Sequence, residues 1–183
     1  MRLGPPDPDK LTPEQKRVYD IITSGPRGRV RGPLAIWLHR PELAEAAQAL
    51  GAYCRYGSSL EPKLSELAIL CMACVWQSEF EWWAHKPIAL KAGLAQNIVD
   101  SLKSGETPSF ANSEEAVVHD VVFALSQERK IADDLYAKAV EILGNDRLVD
   151  LVGLCGYYTL ISMTLNAFAV PLPDGEEYEL TAP

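Results

Sequence analysis

The sequence predicts an all-α protein, on three observations. No segment alternates apolar and polar residues with period two. Apolar residues instead recur at three- and four-residue spacings over most of the 183 residues, and helix-starting and helix-stopping residues fall at the edges of those runs. The composition, 48% hydrophobic and 23% charged, is that of an ordinary globular chain that forms a core without staples. The length fits one domain with extended ends: an arm at 1–11, a helical domain at 12–173 and an acidic tail at 174–183.

The arm carries three prolines and four charges without periodicity. A helix then starts at Thr12-Pro13, where Thr12 and Gln15 spell a capping box and Val18, Ile21 and Ile22 supply an apolar face. Gly25-Pro26 ends it. The loop from Gly25 to Pro33 holds Arg27, Arg29 and Arg31; it reads either as a solvated linker or as a carboxylate clamp, because arginine forks match carboxylates. A short apolar segment, Leu34 to His39, precedes a helix from Pro41 whose face is Leu43, Ala46, Ala47, Leu50 and Cys54. The central run begins at Pro62 and stops at Gly93, with a break near Gln77 as a variant. A short helix follows at 95–103. Ser113 opens the next, with Val117, Val118, Val121, Val122 and Leu125 as its buried face. Asp133 or Asp134 caps another, ending near Gly144. The last helix, about 146–168, is apolar on nearly every side and should be buried in the core or in a subunit contact.

A net charge of −8 argues against general nucleic-acid binding, which needs a clustered basic surface. The start has no apolar signal core, and no apolar run approaches the roughly 20 residues of a membrane span. The expectation is a cytoplasmic protein, with Cys54, Cys71, Cys74 and Cys155 reduced.

Chemistry concentrates between Glu66 and Leu94, which holds three of the four tryptophans and one of the three histidines. Cys71 and Cys74 form a C-x-x-C, but two turns inside a helix, where thiols behave as small hydrophobes rather than as dipole-activated thiolates. No second ligand pair stands at zinc spacing, so no metal is expected. Ser78, Glu81 and His85 share one helical face, where Glu81 can orient the imidazole for proton transfer. The same letters also fit a capping box, Ser78 with Glu81, beside a satisfied histidine.

Glu66-Leu67-Ala68-Ile69-Leu70, followed by Glu81-x-x-x-His85 and Ala89-x-x-Ala92-Gly93-Leu94, resembles the carboxymuconolactone decarboxylase family, whose superfamily includes the alkylhydroperoxidase D-like proteins. The likeness runs from about Pro33 to Pro173. It implies an alkylhydroperoxidase D-like helical bundle assembled into trimers or hexamers, with active sites near subunit contacts. In the peroxidase branch, the two catalytic cysteines fall on Ser78 and Glu81 here, with a histidine on Phe80, so both redox thiols are absent. The decarboxylase branch keeps the glutamate and histidine at Glu81 and His85.

What this implies is cofactor-independent decarboxylation, or related lactone or ring chemistry, on a small carboxylate or lactone. His85 would be the acid/base and Glu81 its orienting partner. Glu66 would be a second proton relay or an anchor. Trp76, Ser78, Trp82, Arg31 and His39 are candidate substrate contacts. Trp83 and Phe80 are further candidate walls; Arg27, Arg29 or Arg40 could bind a substrate carboxylate, and Tyr157 is an additional candidate. The alternatives are a thiol peroxidase using Cys71 and Cys74, and a non-catalytic ligand-binding protein.

Overall fold

The computed structural model describes residues 1–180; the last three residues of the acidic tail lie outside the described residues. It is all-helical, with no strand among those residues. The helices are α1 (Pro13–Ser24), α2 (Pro33–Trp37), α3 (Pro41–Ala52), α4 (Pro62–Trp76), α5 (Glu79–Lys91), α6 (Gln96–Lys103), α7 (Ser113–Phe123) and α8 (Asp133–Phe168). Single π-helical turns follow α3 at Tyr53–Gly57 and α7 at Ala124–Glu128.

The capping box of α1 forms in full: Gln15 N donates to Thr12 Oγ1 at 3.2 Å and Thr12 N to Gln15 Oε1 at 3.0 Å. Val18 and Ile22 are buried as the periodicity requires, whereas Ile21 reaches solvent. The cap of α7 is Asn112, not Ser113, because its Oδ1 accepts from the amides of Glu114 and Glu115. Neither Asp133 nor Asp134 is the cap of α8; Ala132 holds that position.

The core is built around α4, which packs against α5, α7 and α8. Ten consecutive residues, Leu64 through Ala73, are buried, so α4 has no solvent face over that span. Three of its polar groups, Ser65, Glu66 and the Cys71 thiol, are therefore taken out of water. Its last turn ends at Gln77, which takes the left-handed conformation (φ 49°, ψ 44°), while Ser78 N donates to Ala73 O. Two residues thus reverse the chain, and α5 runs back along α4.

The final helix is interrupted at Gly144 (φ 76°, ψ 167°), where the sequence places the end of one helix and the start of the next. One expectation needs correction here. By length and composition α8 is apolar enough to cross a membrane, although 56% of its most apolar window is buried against the rest of the bundle. Leu151, Leu154, Tyr157, Tyr158 and Leu165 face inward, while Val149, Val152 and Met163 stay exposed.

The arm is tied to the end of α8, with Arg2 N donating to Phe168 O and Arg2 Nη1 to Ala167 O. The described part of the tail crosses the back of α5. Glu179 accepts from Trp82 Nε1 at 3.2 Å and pairs with Lys86, and Glu79 accepts the amides of Glu179 and Leu180.

Candidate active site

The reversal at Gln77 brings three groups together that are far apart in sequence. Glu66 lies eleven residues before Gln77 and His85 eight after it, heights of about 16 and 12 Å on antiparallel rods. His85 Nδ1 lies 2.6 Å from Glu66 Oε2, with both side chains buried. Its Nε2 lies 3.4 Å from Glu81 Oε2, one turn earlier on α5, and 3.3 Å from the hydroxyl of Tyr158 on α8. The Tyr158 ring meets the imidazole edge-on, at 5.4 Å between centroids.

Protons can be placed on this network. A carboxylate only accepts, so His85 Nδ1–H donates to Glu66. Nε2 then faces Glu81 and the Tyr158 hydroxyl. Burial pushes the Tyr158 phenol well above its ordinary value, so its hydroxyl stays protonated within hydrogen-bond reach of Nε2. Burial also pushes Glu81 up, against the pull of His85, Arg55 and Arg27. A carboxylate and an imidazole lone pair facing each other would repel, so one proton resides on the Glu81–His85 pair.

Glu66 and Glu81 thus meet opposite nitrogens of the ring, Glu66 at Nδ1 and Glu81 at Nε2. The i, i+4 spacing accounts for the Glu81 contact alone; the Glu66 contact follows from the turn at Gln77. The capping-box reading of Ser78 fails: Ser78 is the N-cap residue of α5 but makes no side-chain cap, and its buried Oγ has no hydrogen-bond partner among the described residues.

Glu81, His85 and Tyr158 line a hollow of about 260 Å³ that four arginines line as well. Arg27, Arg29 and Arg31 come from the loop before α2, and Arg55 from the π-turn after α3. Four of the chain's 17 basic residues therefore converge on one cavity in a molecule of net charge −8. Arginine ion pairs among the described residues are Arg17–Glu45 and Arg147–Glu114; none involves these four. The Nε atoms of Arg27 and Arg55 are buried without a partner among the described residues. Burial, then Arg29 and Arg55, push Arg31 below the usual arginine value, and its guanidinium stacks 5.2 Å over the Trp83 ring. At Arg55, burial opposes the charge, but Tyr158, Tyr56, Glu66 and Glu81 together outweigh it. Arg27 Nη2 also contacts the Tyr157 hydroxyl at 3.4 Å.

Other candidates stand elsewhere. Trp82 is 1% exposed in the core and donates to Glu179. Trp76 borders a different hollow, beside Met72 and Met163. Ser78 lies against a third, with Leu165 and Asn166. His39 is exposed and its Nε2 donates to the Gly4 carbonyl at 2.8 Å, so it fastens the arm; Arg40 is exposed too. Of the aromatic walls, Phe80 and Tyr157 line the cavity. The sequence reading missed Arg55, Tyr56 and Tyr158. A signal existed for Arg55, a cation within the aromatic pair Tyr53 and Tyr56 at the end of an otherwise regular apolar face.

The architecture defines a class: the fold is the alkylhydroperoxidase D-like helical fold. Solved structures share it, among them two peroxidase-related proteins. An uncharacterized peroxidase-related protein from Silicibacter sp. TM1040 superposes with a TM-score of 0.74 at 17% identity, over 97% of this chain and 93% of the other. An uncharacterized peroxidase-related protein from Ralstonia eutropha JMP134, described as an alkylhydroperoxidase AhpD core, gives 0.74 at 13% identity, over 94% and 92%. No family model matches the chain, and no curated protein matches it in sequence.

Proposed function

We propose that the chain is a cofactor-independent acid/base enzyme acting on a small carboxylate, with decarboxylation of a carboxylated lactone as the favoured reaction. One observation carries this reading. His85 is held through Nδ1 by Glu66, while Nε2 lies beside Glu81 and Tyr158, which line a cavity walled by four arginines without carboxylate partners among the described residues.

The chemistry follows from those parts. A γ-carboxylate on an unsaturated lactone breaks its C–COO⁻ bond, and the electron pair flows through the ring onto the lactone carbonyl. The dienolate then takes one proton at carbon from the Glu81–His85 pair, which solvent reprotonates. The net change is loss of CO₂ and gain of H⁺. The arginines neutralise charge that builds on the carbonyl oxygen and bind any second carboxylate. Glu66 holds the ring so that Nε2 stays on the reactive side.

The thiol alternative is weaker on physical grounds. Burial pushes Cys71 well above the ordinary thiol value and Cys74 up to about 12, so thiolate is scarce at neutral pH. The favoured reading is tested by CO₂ release from a panel of carboxylated lactones. His85→Ala should abolish release while leaving the helical fold intact; unchanged release removes His85 from the mechanism. Saturable binding of these acids without product would instead make the protein a carrier.

A further inference from the structure

A second hollow, of about 400 Å³, adjoins the arginine-walled cavity and differs from it in chemistry. Its walls are the arm, the far side of α2 and the segment after α8, among them Pro5, Leu11, Ala35, Ile36, Leu38 and Leu172. The two hollows share two residues, Arg31 and Phe80. Phe80 is the partition. Its ring presses on the backbone of Gly32, where a Cβ would lie 2.7 Å from Phe80 Cε1, and Gly32 itself lines the apolar side. Gly32 has φ +56°, so a side chain there would be strained and would displace the ring as well. Arg31 stands at the same junction with its guanidinium over Trp83.

From this juxtaposition we infer that the substrate is an amphipathic acid. Its carboxylate lies among Arg27, Arg31 and Arg55 beside His85, and an alkyl or aryl tail passes Phe80 into the apolar hollow under the arm. This rests on the proposed carboxylate site and extends it. A cationic group at the mouth of an apolar hollow fits a ligand whose charged end and apolar end are adjacent, and a purely polar small acid would leave the second hollow unused.

The experiment titrates the sodium salts of acetate, butanoate, hexanoate, octanoate and decanoate, below their aggregation limits, into the full chain by calorimetry. Affinity should rise about three- to fourfold per added methylene. Ala35→Phe, which fills the hollow, and Leu11→Asp, which charges it, should both flatten that rise. Arg55→Gln should weaken every acid by a similar factor. A flat series in the unmodified protein, with acetate still bound, overturns the apolar subsite and leaves the carboxylate site standing. A rise that persists in both Ala35→Phe and Leu11→Asp places the tail elsewhere and overturns it too. Long acids that bind Arg55→Gln undiminished use the hollow without the arginines, which contradicts a single amphipathic site. A flat series in which Ala35→Phe alters sedimentation assigns this face to subunit packing. Failure of every acid to bind overturns both proposals.

Discussion

At the scale of single residues, the proposed chemistry rests on which nitrogen of His85 meets which carboxylate. Spacing alone pairs His85 with Glu81, because i and i+4 are neighbours on any helix. It gives no access to Glu66, whose position opposite His85 depends on where the chain turns back. The contact of His85 with Glu81 was therefore legible in the sequence, and the closer one with Glu66 needed the break near Gln77 as well. Glu66→Gln should lower turnover and alter its pH profile with little change in substrate affinity, because the ring loses its anionic partner while the arginines remain; a profile identical to the unmodified protein would make Glu66 a bystander. The cysteines give a complementary expectation. Cys71→Ala with Cys74→Ala should retain turnover, and loss of activity in a folded double variant would restore the thiol mechanism.

Among the elements, two packing devices hold the arginine wall. The first is Gly51 on α3, where a Cβ would lie 2.1 Å from the Tyr157 hydroxyl and 2.4 Å from Arg27 Nη2. Gly51→Ala should displace Arg27 and raise KM about tenfold or more, since a charge-assisted contact is worth about 1.5–3 kcal/mol; an unchanged KM would show that Arg27 does not bind substrate. The second is Asp150 on α8, which accepts from Tyr53 Oη, Ser59 N and Ser59 Oγ, each at 2.6 Å, and so pins both ends of the π-turn that carries Arg55. Burial alone would raise this carboxyl, but the hydrogen bonds from Ser59 and Tyr53 prevail and hold it below its ordinary value. The folded state thus binds this proton less readily than the unfolded chain does. Its stabilisation is fully present above the unfolded value, about 3.9, and is lost as pH falls through the lower folded one. Asp150→Asn should lower the Tm at neutral pH, and the gap to the unmodified protein should close below about pH 4; a gap independent of pH would refute the assignment. Neither device was visible in sequence. Gly51 reads as a neutral helix residue, and Asp150 as one charge on a helix otherwise apolar.

For the whole molecule, the all-α fold was legible because helical periodicity and caps are local, and the cap at Thr12 and the break at Gly144 fell where the residues demanded. The cavity was legible only in part. Arg27, Arg29 and Arg31 stood out as a cluster, whereas Arg55 and Tyr158 reach the same space through tertiary packing that no spacing records. The exposed Val149, Val152 and Met163 on α8 bear on assembly. The trimer or hexamer implied by the sequence resemblance would cover them, so Val149→Asp should shift sedimentation to a smaller species if that face is shared; an unchanged species would exclude it. The central claim concerns the cavity's chemistry, and it is tested most directly by incubating a γ-carboxylated butenolide in D₂O with the unmodified protein and with His85→Ala. Release of one CO₂ with one deuteron incorporated at carbon by the former, and neither by the latter, is the predicted result. Equal CO₂ release by both proteins would contradict it.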